Sequence, residues 1–238
     1  VEIIPAIDIR GGKVVRLYQG DYAQETVFAA DPVRVALRWQ QEGAHRIHIV
    51  DLDGARSGQL ENLEVIKDIL KAVDAPLQVG GGIRSLDTAE KLLDAGVARV
   101  VFGTIAIQEP DLVARACDEL GGEAVIVSVD ARNGMVAVQG WTQGTTMRAE
   151  ALVRAMARNG VRRFVCTDVS ADGTLQGPNV AALEALMKTG GVHIIASGGV
   201  GSLDDLQRLS HAGVEGVILG RALYTGAVSL PEAIARFQ

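Results

Sequence analysis

The chain has 238 residues, 48% of them hydrophobic, and a net charge of −6. That length and apolar share suit one large α/β domain, while the acidic balance argues against nucleic-acid binding, which needs a basic face, yet leaves room for an anion held by local N–H groups. No apolar run reaches membrane-spanning length, no leader-like segment opens the sequence, and Cys117 and Cys166 form no disulfide framework or metal spacing, so a cytoplasmic protein without nucleic-acid or membrane partners is expected.

Strand-like runs follow in chain order at 2–9 (EIIPAIDI), 46–52 (RIHIVDL), 76–82 (PLQVGGG), 99–103 (RVVFG), 124–130 (AVIVSVD), 163–169 (RFVCTDV), 193–199 (HIIASGG) and 216–220 (GVILG). Helical periodicity fills the intervals, as at 31–43, 85–96 and 202–213. Ser85 and Ser202 suit N-caps with carboxylates in the turn that follows, and Gly43, Gly96 and Gly213 suit the position just past a helix end. Near-continuous apolar strands mean a sheet buried on both faces. Eight β-α units over 1–238 predict a single domain, a closed (β/α)8 TIM barrel, with an open doubly wound sheet as the alternative. The segment after the first strand, which carries Arg16, reads as a glycine-bearing loop. Residues 132–141 (RNGMVAVQGW) read as a hairpin inserted after the fifth strand.

The chain repeats itself. Residues 79–103 (VGGGIRSLDTAEKLLDAGVARVVFG) match 196–220 (ASGGVGSLDDLQRLSHAGVEGVILG), an offset of 117. At the same offset 50–62 (VDLDGARSGQLEN) lines up with 167–179 (TDVSADGTLQGPN). Two half-barrels of four units are implied, facing each other across the barrel axis. Three features are doubled. Gly80, Gly81 and Gly82 correspond to Gly198 and Gly199, and Gly103-Thr104 to Gly220-Arg221. Glycine admits close backbone approach and the following helix offers N–H groups, so two opposed phosphate sites are expected, and with them an elongated small-molecule substrate. Tight βα turns are the plainer reading of the same glycines.

The third doubled feature is a carboxylate at a strand end, Asp8 and Asp130. Strand alternation puts Asp8 on the face of Ile4 and Ala6, and Asp130 on that of Ile126 and Ser128. If those faces are interior, two carboxylates meet in the mouth and can divide into general acid and general base. Without a third ligand they make a poor metal site, so no metal and no cofactor is expected. Asp51 and Asp168 have the opposite parity and suit loop ties. His48 has inward parity, for substrate contact or for a satisfied buried histidine. Arg16 suits substrate or a carboxylate partner, Arg84 a phosphate or its own loop. Trp141 suits stacking on a planar heterocycle or packing of its hairpin. Trp39 and Phe102 suit the core.

PAIDIRGGKVVRLYQGDY (5–22), HIVDLDGA (48–55), VGGGIR (79–84), SVDARNGMVAVQGW (128–141), CTDVSADGTLQGPN (166–179) and ASGGV (196–200) together resemble the isomerase family of histidine biosynthesis over essentially the whole chain. The resemblance implies an Amadori rearrangement of the aminoaldose phosphoribosylformimino-5-aminoimidazole carboxamide ribotide, a substrate with two phosphates, without metal or organic cofactor. It implies Asp8 as general base and Asp130 as general acid, with Thr167, across the ring, bonding the reacting hydroxyls and Asp172 assisting. Substrate or phosphate contacts are then expected at Arg16, His48, Gly81, Gly82, Arg84, Gly103, Thr104, Trp141, Gly173, Gly177, Gly199, Gly220 and Arg221, in a monomer. The related cyclase typically has Cys, Lys and Asn where this chain has Ala6, Arg16 or Leu17, and Gly103, which favours the isomerase. A non-catalytic phosphosugar binder would gain little from facing carboxylates. Some relatives also isomerise phosphoribosylanthranilate, and the sequence leaves that second activity open.

Overall fold

All eight apolar runs form strands, and four more strands join them. In chain order they are β1 (Glu2–Arg10), β2 (Lys13–Tyr18), β3 (Asp21–Ala29), β4 (Ile47–Asp51), β5 (Leu77–Gly80), β6 (Arg99–Phe102), β7 (Val125–Arg132), β8 (Met135–Val138), β9 (Gln143–Arg148), β10 (Arg163–Asp168), β11 (His193–Ser197) and β12 (Gly216–Leu219). The computed structural model describes residues 1–238. The ring runs β1-β4-β5-β6-β7-β10-β11-β12 and closes through β12 onto β1, every pair parallel. With helices between the strands, this is a (β/α)8 barrel. β1 and β7 stand four places apart in that ring, on opposite sides of the axis.

The segment after β1 departs from the loop expected for it. Gly11 and Gly12, at φ 54° and 73°, turn the chain so that Arg10 pairs with Lys13 and β2 runs back along β1, with β3 beside β2. Asn133 and Gly134, at φ 53° and 77°, make the equivalent turn between Arg132 and Met135, giving the expected hairpin β8-β9 on β7. A two-residue hairpin turn favours positive φ at its central residues, which glycine and asparagine accept. The Gly-Gly pair between two apolar runs was therefore a legible hairpin signal. Both half-barrels carry a hairpin at the same place.

Capping follows the sequence. Ser85 accepts from Thr88 N–H, and Ser202 accepts from Asp205 N–H while the Asp205 carboxylate accepts from Ser202 N–H. Gly43, Gly96 and Gly213 take φ of 100°, 109° and 87° at helix ends. Fifty-three buried apolar residues, Trp39 and Phe102 among them, lie in the main core cluster, against seven in a second cluster of alternating strand residues, Ile4, Ala6, Val101, Ile126, Val165, Ile195 and Ile218. Burial of apolar surface contributes about 25 cal/mol per Å2. The larger cluster thus supplies most of the stabilisation, and the upper barrel interior is left free to be polar. No helix is long and apolar enough to cross a membrane.

Candidate active site

Strand parity places the two strand-end carboxylates as expected. Asp8 continues the face of Ile4 and Ala6, Asp130 that of Ile126, and both line one cleft at the C-terminal mouth of the barrel. Asp51 and Asp168 face the other way. Asp51, fully buried, accepts from the N–H groups of Gly54, Glu61 and Asn62 and from the Asn62 amide, while Asp168 accepts from Ser170 N–H and Asn179 Nδ2. These are the loop ties their parity suggested.

Each carboxylate has a different neighbourhood. Arg16, on β2, brings Nη1 to 2.5 Å from Asp8 Oδ2. Burial pushes the Asp8 carboxyl up, and Arg16 works against that rise by charge and hydrogen bond. Asp130 has no cation. Burial raises it too, opposed by hydrogen bonds from Thr167, Ser128 and Trp141, with Ser128 Oγ at 2.8 Å. Thr167 stands beside Asp130 as its register partner on β10. Asp172 is pushed up to about 6, chiefly by burial, with Arg16 lowering it and Asp8 and Asp130 raising it. His48 is buried and pushed down to about 3 by burial and by Arg16, so it is neutral over the ordinary pH range.

The cleft has two arms, which share Arg16, Leu17, Asp172, Ser197 and Ile218. Gly80, Gly81, Gly82, Arg84, Gly103 and Thr104 line the first; Gly173, Gly198, Gly199, Gly220 and Arg221 line the second. The glycines are not equivalent. A Cβ on Gly81 would strike the Asp51 carbonyl, on Gly82 the Gln59 carbonyl and on Gly199 the Gly177 carbonyl, so each permits one loop backbone to pack on another. A Cβ on Gly220 would collide with the Arg16 guanidinium, whereas one on Gly103 meets nothing within 4 Å. Arg221 Nη1 donates to the Gly173 carbonyl. Gly177 lies outside both arms; its N–H donates to the Gly199 carbonyl, which makes it a support for that loop.

The two hairpins meet over the first arm. Gln139, Gly140 and Trp141 take positive φ in succession, and Trp141 packs so closely on Gly20 that a Cβ there would collide with the indole. Gln139 N–H donates to Thr104 Oγ1 at 2.9 Å. In this structure Trp141 faces Asp130 and Gly20, with its ring lining the cleft. Ser128 and Ser197 also line the cleft; strand alternation puts Ser128 on the face of Asp130, and no sequence signal marks Ser197.

The chain matches the family described as "Histidine biosynthesis protein" over residues 2–229. It is 52% identical over 238 residues to a protein of Roseiflexus castenholzii, covering 100% of both chains. It is 55% identical over 235 residues to one of Chloroflexus aggregans, covering 99% of this chain and 97% of that one. It is 50% identical over 237 residues to one of Synechocystis sp., covering 98% and 92%. Each of these relatives is named 1-(5-phosphoribosyl)-5-((5-phosphoribosylamino)methylideneamino) imidazole-4-carboxamide isomerase. With full-length matches at this level, the chain belongs to the histidine biosynthesis protein family and is one of its isomerases.

Proposed function

We propose that the chain rearranges the aminoaldose named in its relatives, which carries two phosphoribosyl groups, to the corresponding aminoketose, with one phosphate in each arm of the cleft. The observation that carries this reading is the pair of inward carboxylates at the ends of opposing strands, of which only Asp8 is matched with an arginine. The ring oxygen of the reacting ribose takes a proton, the ring opens to a Schiff base, and the C2 proton is then removed to give an enamine. Return of a proton at C1 and formation of the C2 carbonyl complete an isomerisation with no outside oxidant.

Arg16 favours the charged form of Asp8, which suits the general base at C2. Asp130, buried without a cation, suits the acid that protonates the ring oxygen, with Thr167 and Ser128 orienting it. Asp172, raised to about 6 between the other two, suits an assisting proton carrier. Arg84 and Arg221, with the N–H groups around Gly103 and Gly220, suit the two phosphates. The test is conversion of the purified aminoaldose, followed by chromatography of the aminoketose. Absence of turnover would sink the reading, and a parallel assay with phosphoribosylanthranilate decides whether a one-phosphate substrate is also accepted.

A further inference from the structure

Below the mouth, three inward side chains follow one another on neighbouring strands, from His48 at the cleft toward the N-terminal end of the barrel. His48 on β4 is the register partner of Gln78 on β5, and Gln78 of Arg99 on β6. Side chains alternate along a strand, so Arg99 shares the face of Val101, in the interior cluster, and Gln78 that of Gly80, in the cleft lining. Gln78 is fully buried, and its Nε2 lies 3.0 Å from His48 Nδ1. Its Oε1 and Arg99 Nη1 are both buried, and neither has a hydrogen-bond partner within the protein. Nearby Arg46 is engaged with Glu2, and Arg163 with Glu215 and Glu123, so Arg99 is the unpaired guanidinium of this group.

A guanidinium has donors only. Beside it, a buried amide is best satisfied by presenting its oxygen, which turns the NH2 group toward His48. Nδ1 must then accept, and a neutral imidazole must carry its proton on Nε2. We propose that Gln78 is a positioning residue: Arg99 holds its Oε1 through one water, and its amide holds His48 as the Nε2–H tautomer. His48 lines the cleft beside Arg16, so this tautomer offers a substrate oxygen a neutral donor. Only that last step rests on the proposed reaction; the tautomer belongs to the free protein.

The experiment is 15N–1H correlation of the ring nitrogens in histidine-labelled protein without substrate. His48 is assigned among the four histidines by loss of its signals in His48→Gln. The expected result is a proton on Nε2 in the wild type. Arg99→Met should raise the Nδ1–H population and lower kcat/KM roughly tenfold, the scale of one lost oriented hydrogen bond, while Arg99→Lys, which keeps a donor, should retain the wild-type pattern. Gln78→Glu, an acceptor at the same place, should move the proton to Nδ1. Should Gln78→Glu fail to fold, the wild type and the Arg99 pair decide the matter. A wild-type proton on Nδ1 would overturn the proposal. So would a drop in activity in Arg99→Met with the tautomer unchanged, since that marks a merely structural role.

Discussion

The two half-barrels agree where the chain is tied together and differ where charge is placed. Asp51 accepts from the Asn62 amide and Asp168 from the Asn179 amide, residue for residue at the offset of 117, and Gly81 and Gly198 lie against the carbonyls of those same aspartates. Each half also sends a hairpin from its first strand over the mouth. Yet the hairpin of the first half delivers Arg16 to Asp8, and that of the second delivers Trp141 to Asp130. Duplication explains the scaffold. The asymmetric hairpins explain how two carboxylates, both raised by burial, come to suit different proton-transfer roles.

The strongest way to break this comparison is to remove each carboxylate in turn. Asp8→Asn and Asp130→Asn should each lower kcat by about 10²–10⁴-fold, the usual contribution of a general acid or base, with substrate still bound by calorimetry. Wild-type turnover in either variant would remove that residue from the chemistry.

Arg16→Met comes next. It strips the cation from Asp8 and from neighbouring Asp172 but leaves Asp130 untouched, so the Asp8 pKa rises further and the acidic limb of the kcat/KM profile moves to higher pH, since a base must be ionised to act. Turnover should fall by at least roughly tenfold at neutral pH. Ser128→Ala removes a donor from the Asp130 carboxylate and raises its pKa; an acid is lost as it ionises, so here the alkaline limb should extend to higher pH. Shifts of the same limb in both variants would contradict the division of roles.

A smaller effect separates two glycines at equivalent places. Gly220→Ala forces the Arg16 guanidinium to move and should lower kcat roughly tenfold, whereas Gly103→Ala meets no protein atom and should leave kcat within about threefold, any clash with the phosphate there raising KM instead. Equal losses would mean that Arg16 is not held by the Gly220 backbone.

The smallest contrast is in stability. Asn62 is buried and its amide serves both Asp51 and Asp53, while Asn179 ties a more exposed Asp168 and caps the helix Val180–Met187. Asn62→Ala should cost about 2–3 kcal/mol, because it leaves a buried carboxylate short of a donor. Asn179→Ala should cost about 1 kcal/mol, the scale of an N-cap. Urea unfolding measures both, and equal costs would deny the difference in burial.

Strand periodicity, the serine caps and the internal repeat determined the ring of eight strands, because an apolar run, a capping hydroxyl and a duplicated motif are all local in sequence. Parity put Asp8 and Asp130 on the faces of Ile4 and Ile126, and Asp51 and Asp168 on the opposite faces, since side-chain alternation needs no knowledge of neighbours; closure of the ring made the first faces the interior. Which groups surround those carboxylates was decided only by the tertiary structure. Arg16 reaches Asp8 because a Gly-Gly turn folds β2 back onto β1. Thr167 reaches Asp130 because β10 closes on β7 in a particular register, across the span that holds the second hairpin. Gly177 sits behind its loop because a neighbouring carbonyl takes its N–H. Gln78 stands in register with Arg99 through strand neighbours whose alignment no pattern along the chain records. Charge, hydrogen bonding and burial act through space, and a barrel sets that space only when its last strand meets its first.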